Sequence, residues 1–112
     1  MPSVKRLAFR TEALADVEDA ARWYAEEAGF ETAERFLTEL AAAYAHIPRH
    51  PGTGSPRWGI GLNLAGLRAW SLGRFGHLVF YVEHASHVEV WRVLHGARDI
   101  PAALAEPQEP AP

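Results

Sequence analysis

"HLVFYVEHASHVEVWRVLHGARDI", His77 to Ile100, holds two runs rich in branched and aromatic residues around a short polar break. Such runs fit a pleated, half-buried surface, so His77–Glu83 and His87–His95 read as β-strands. His84, Ala85 and Ser86 suit the tight turn of a hairpin between them. Both faces of the second run are apolar, which places it inside a sheet rather than at an edge. Regular alternation puts Trp91, Val93 and His95 on one face and Arg92 and Leu94 on the other. Gly96 ends the run. Asp99 is then placed to cap a short helix near Ile100 to Glu106, with Pro101 tolerated in its first turn.

Working outward, "LRAWSL" (Leu67 to Leu72), bounded by Gly66 and Gly73, is another strand, and "VKRLAF" (Val4 to Phe9) a short one. Between these two lie two helical patterns. Thr11 offers an N-cap to the first, whose apolar stripe is Leu14, Val17, Ala21, Tyr24 and Ala28, stopped by Gly29. The second follows at once through Ala33, Phe36, Leu37, Leu40, Tyr44 and Ile47, and Pro48 cannot continue it. So short a connection makes the two helices antiparallel neighbours. Pro48 to Gly66, punctuated by three prolines and five glycines, reads as irregular. The expected fold class is α+β in the order β-α-α-β-β-β(-α). An antiparallel helical hairpin packs on one face of a small, mainly antiparallel sheet. Residues 1–105 form one domain, and the proline-rich tail 106–112, "EPQEPAP", is expected to be disordered.

With 112 residues and 48% hydrophobic content, the chain buries enough surface for one core without staples. It has no cysteine, which excludes disulfides, thiolate metal sites and cysteine nucleophiles and fits a reducing cytoplasm. No apolar run approaches the ~20 residues of a membrane span, and "MPSVKRLAF" lacks the apolar core of a signal peptide. The expectation is a soluble cytoplasmic protein. Net charge is −3, with acids concentrated between Glu12 and Glu39 and arginines mostly after Arg49. Such a balance argues against direct nucleic-acid binding through phosphates.

Six histidines raise the question of a metal. His46 and His50 are four apart, but Pro48 between them argues against a shared helical face. His84 and His87 flank the hairpin turn without a carboxylate motif, so neither a metal nor a cofactor is expected. The glycines of "GTGSPRWGIG" lack the lysine and hydroxyl of a phosphate loop. Metal-free RNA cleavage needs a base, an acid and cations for the transition state. His77, His95, Arg68, Arg92 and Arg98 are the residues of the right type. The competing account, which the residues themselves favour, makes His95 a packed strand-end histidine and Asp99 a helix cap.

Taken in order, four segments resemble the ParE branch of the RelE/ParE toxin superfamily of bacterial type II toxin–antitoxin systems. They are "FRTEALADVEDAARWY", "AERFLTELAAAYAHIPRHPGTG", "GLRAWSLG" with "GHLVFYVE", and "RVLHGARDI". The resemblance runs from about Val4 to Leu104. It implies the helical hairpin on a sheet and a growth-inhibiting toxin that poisons DNA gyrase until a cognate antitoxin neutralises it. That antitoxin would be ParD-like, a ribbon-helix-helix protein with a C-terminal toxin-binding segment. The RelE branch instead cuts mRNA on the ribosome. The absence of tyrosine, histidine, lysine and arginine after Asp99, together with the negative charge, favours the gyrase poison, which is not itself an enzyme. A member that only binds an antitoxin is the third alternative. Under the leading reading Arg68, His95 and Arg98 are candidates for target contact. Trp23 and Phe30 are candidates for antitoxin contact, or else they complete the core.

Overall fold

The computed structural model describes residues 4–105, so the expected disorder of 106–112 lies outside the described residues. The elements are β1 (Arg6–Phe9), α1 (Thr11–Ala28), α2 (Phe30–His46), α3 (Arg57–Leu62), β2 (Leu67–Ser71), β3 (His77–Glu83), β4 (His87–His95) and α4 (Ile100–Ala105). The α+β layout and its helical hairpin are therefore as read from the sequence. The sheet order is β1-β4-β3-β2, which puts β4, apolar on both faces, in the interior. β2, β3 and β4 are antiparallel, whereas β1 runs parallel to β4. β1 and β2 therefore run in the same sense, and the segment that contains α3 carries the chain from the end of α2 back across the sheet before β2 begins.

Gly29 alone joins α1 to α2, at φ +95°, a backbone conformation that side chains resist. The hairpin packs Ala13, Tyr24, Ala33, Phe36, Leu40, Ala43 and Ile47 against Val79, Tyr81, Val88, Val90 and Val93. Ala13 and Ala43 are buried, at 1% and 2% exposed, while Leu14 and Leu37 remain 49% and 42% exposed. The stripe on α1 is thus rotated by about one residue from the expected one. Thr11 is the first helical residue rather than the cap, a position held by Arg10.

Within the stretch expected to be irregular, Arg57–Leu62 forms α3. Trp58 and Leu62 of this helix, with Ile100, Ala103 and Leu104 of α4, cover the second sheet face over Leu67, Ala69, Phe80 and Leu94. Trp58 and Leu62 are four apart and so share a helix face. The two intervening glycines mask that pattern. Gly59 is required because a Cβ there would lie 2.5 Å from the Leu67 carbonyl oxygen.

The "HPGTG" segment is a lock on the core. Tyr81, fully buried, donates its hydroxyl hydrogen to the Pro51 carbonyl at 2.7 Å and accepts from the Gly54 N–H at 2.9 Å. A Cβ on Gly54 would overlap the Tyr81 hydroxyl.

Candidate functional site

A β-bulge decides which side chains of β4 share a face. Val90 pairs with Tyr81 and Arg92 with Phe80, so Trp91 is the extra residue. Val88, Val90 and Val93 therefore all face the hairpin, while Trp91 packs with Leu94 on the opposite face. Uniform alternation had placed Trp91 with Val93; one inserted residue reverses the phase. His95, two past Val93, stays on the hairpin side, where its partner in register is His77.

The His77 and His95 rings are 5.1 Å apart between centroids and nearly perpendicular, at 89°. His77 is 7% exposed. Its Nδ1 lies 3.1 Å from the Phe75 carbonyl oxygen, which also accepts from the Tyr24 hydroxyl at 3.2 Å. A carbonyl only accepts, so the hydrogen sits on Nδ1 and the lone pair on Nε2. Burial pushes the His77 pKa down, the Phe75 bond opposes this, and His95 adds to the depression. The ring is neutral near pH 7. His95 has the opposite arrangement: its Nδ1 accepts from the Ala97 N–H at 3.0 Å, leaving the hydrogen on Nε2. Gly76, at φ +70°, keeps the space beside that nitrogen open, since a Cβ would stand 2.8 Å from it.

The pair lines a cleft of about 560 Å³ shared with Ala20, Trp23, Tyr24, Arg74 and Phe75. An adjoining cleft of about 270 Å³ shares Ala20, Trp23, His77 and His95 and adds Asp16, Asp19 and Arg98. The structure thus gathers His77, His95 and Arg98. Tyr24 and Arg74, not singled out in the sequence, join them. Arg74 arrives through the turn Gly73–Phe75, between two glycines of positive φ.

Two other arginines are placed elsewhere. Arg92 is buried: Nε and Nη2 donate to Asp16 at 2.7 and 2.9 Å, and Nη1 donates to the Ala103 carbonyl at 3.2 Å. Asp16 also accepts from the Val93 N–H at 3.0 Å, a donor left open on β4 because the pairing of β1 ends opposite Val90. This triad ties α1, β4 and α4 together and keeps Arg92 from the surface. Arg68 lies opposite Tyr81, about 13 Å along β3 from His77. Its guanidinium donates to the Gly54 carbonyl at 2.8 Å, bracing the same loop that Tyr81 locks.

Trp23 and Phe30 are 58% and 72% exposed, so neither completes the core. Trp23 borders the histidine cleft, and Phe30 opens α2 at the tip of the hairpin. Asp99 caps α4, accepting from the Ala102 N–H at 3.2 Å. His46 and His50 depart from expectation. Pro48 does not separate them, because the His50 N–H still reaches the His46 carbonyl at 3.0 Å, and the rings lie 5.1 Å apart. Pro48 sits where the helix is already ending, so the missing N–H costs little. His46 stacks on Trp70 at 4.3 Å and bonds Thr53. Among the described residues no group of three or more His, Cys, Asp or Glu gathers as a metal set, and no helix is long and apolar enough to cross a membrane.

Residues 7–100 match the family model described as the ParE toxin of the type II toxin–antitoxin system parDE. No curated protein matches the sequence. Among solved structures, the chromosomal ParDE toxin–antitoxin system from P. aeruginosa superposes with a TM-score of 0.69 at 17% identity. The match covers 82% of this chain and 96% of that one, and at this identity it speaks to fold alone.

Proposed function

Because this chain belongs to the ParE toxin family of type II toxin–antitoxin systems, we propose that it inhibits DNA gyrase by binding and is neutralised by a ParD-like antitoxin. One observation carries the preference for binding over RNA cleavage. Of the three arginines a nuclease would use, Arg92 is buried against Asp16 and Arg68 holds the Gly54 loop. Of those three, only Arg98 borders the histidines, where Arg74 joins it from the turn before β3. A binding protein needs none of this machinery.

Under this reading His95 and Arg98, exposed at the end of β4, contact the target, while Arg68 serves the fold. Trp23 and Phe30 receive the antitoxin, because exposed aromatic side chains are favoured anchors at interfaces. Trp23 borders the cleft that holds His95, so an antitoxin seated there covers the target surface as well. The test is a cleavage assay with purified gyrase and supercoiled DNA. Linear DNA accumulating with protein, and suppressed by the product of the adjacent antitoxin gene, is the expected result. No linear DNA at excess protein refutes the gyrase reading. Codon-positioned cuts in translated mRNA would establish the nuclease instead.

A further inference from the structure

The geometry points to the His77–His95 cleft as a binding site for a ribonucleotide phosphate, a ligand class separate from the gyrase reading and not dependent on it. The cleft offers a matched set of donors and acceptors. His77 is more than nine-tenths buried, and its two bonded contacts, Phe75 and Tyr24, are both made at Nδ1. Its Nε2 lone pair therefore has no partner among the described residues, in a ring that lines both clefts. A buried acceptor left unpaired costs about 1–3 kcal/mol, so its retention calls for a donor from outside. A sugar hydroxyl is such a donor, and a carboxylate is not.

The anionic half of the ligand is indicated by charge. Asp19 is paired with Arg22 and Asp16 with Arg92, whereas Arg74 and Arg98 have no ion pair among the described residues. Two uncompensated guanidinium groups flank the histidines, and His95 adds an N–H donor at Nε2. This is a positive locus on a chain whose net charge is −3, and guanidinium forks match phosphate oxygens. Trp23, 58% exposed at the rim, supplies a face on which a base stacks. The volume, about 560 Å³, suits a mononucleotide better than an extended peptide. A nucleotide phosphate with a neighbouring hydroxyl satisfies every one of these groups.

The ligand arises either as a free nucleotide or as a segment of single-stranded RNA. Titration of the full chain with adenosine 3′-monophosphate, a short oligoriboadenylate, their 2′-deoxy counterparts and inorganic phosphate separates these sources. The readout is calorimetry with backbone amide and histidine ring NMR shifts. Saturable binding of the ribonucleotide or of the oligoribonucleotide is expected, with shifts centred on His77, His95 and Trp23. The deoxy forms bind about fivefold more weakly through the lost hydroxyl. Arg74→Ala and Arg98→Ala each weaken binding at least about tenfold. Both side chains are exposed, and unchanged amide spectra elsewhere show that the variants fold. Absence of binding at millimolar ribonucleotide and oligoribonucleotide overturns the assignment. So does equal affinity for the deoxy forms, equal affinity in the Arg74→Ala/Arg98→Ala double variant, or preference for a glutamate-rich peptide. A gyrase assay that fails leaves this result untouched, and the reverse also holds.

Discussion

Replacing Asp16 with alanine tests the most consequential contact in the molecule. Its carboxylate accepts from Arg92 Nε at 2.7 Å, from Arg92 Nη2 at 2.9 Å and from the Val93 N–H at 3.0 Å. The Arg92 and Asp16 side chains are 5% and 9% exposed, so water replaces little of what is lost. Removing one partner of a buried pair strands the other charge, which costs about 3–5 kcal/mol. The orphaned Val93 N–H falls within that figure rather than adding to it, since the contacts share one carboxylate. Against a total stability of about 5–15 kcal/mol, this is a large fraction. With a urea slope near the low end of the range, about 1.5 kcal/mol/M, the unfolding midpoint falls by about 2–3 M. Asp16→Asn keeps an oxygen for Val93 and loses less, about 2 kcal/mol. The double variant Asp16→Leu/Arg92→Met removes both charges and recovers most of the loss. It retains a deficit of about 1–2 kcal/mol from the unpaired Val93 N–H. A loss below about 1 kcal/mol in Asp16→Ala, or a double variant as unstable as the single, would refute the linchpin role.

Gly54→Ala drives a methyl into the Tyr81 hydroxyl and is expected to cost about 1–3 kcal/mol, read as a lower melting temperature. Tyr81→Phe, which leaves Pro51 and Gly54 without their partner, is expected to cost about 1–2 kcal/mol in the same measurement. Trp23→Ala and Phe30→Ala change stability by less than about 0.5 kcal/mol, because both side chains are exposed. Each nonetheless weakens antitoxin binding at least about tenfold by calorimetry; unaltered affinity in both would remove the proposed contact. For His77, burial holds the folded pKa below the ordinary 6.5. Between the folded and unfolded values the unfolded chain binds more protons, so stability rises with pH across that window. This contribution is complete above the unfolded pKa and is lost as pH falls through the folded value. Urea midpoints between about pH 7.5 and 5.5 check it: His77→Gln should flatten the slope, and an unchanged slope contradicts it.

The local code carried most of the architecture. Residue type and spacing were enough for the hairpin helices, the order of the strands and the interior position of β4, because burial imposes periods of 3.6 and 2 that composition displays directly. Gly29, Gly96 and Asp99 marked element ends through their own backbone preferences. Where local preference is weak, tertiary contacts decide. Arg57–Leu62 carries a helix that glycines conceal, and it forms because Trp58 and Leu62 have a sheet face to cover. Trp91 changes face because a single bulge reverses alternation, and nothing in "VEVWRV" announces where the extra residue falls.

The candidate site was legible in kind but not in arrangement. His77, His95 and Arg98 were visible as chemistry-bearing residues, yet the sequence offered Arg68 and Arg92 on equal terms. Separating them needed partners far along the chain: Asp16 is seventy-six positions from Arg92, and Gly54 fourteen from Arg68. Tyr24 and Arg74 reached the cleft only because the hairpin and the turn before β3 close on the same end of the sheet. A side chain's propensities belong to its own residue, so the sequence determined every described element but α3. Its role depends on what the folded chain sets beside it, so the tertiary structure alone decided which arginines bind inward and which face a ligand.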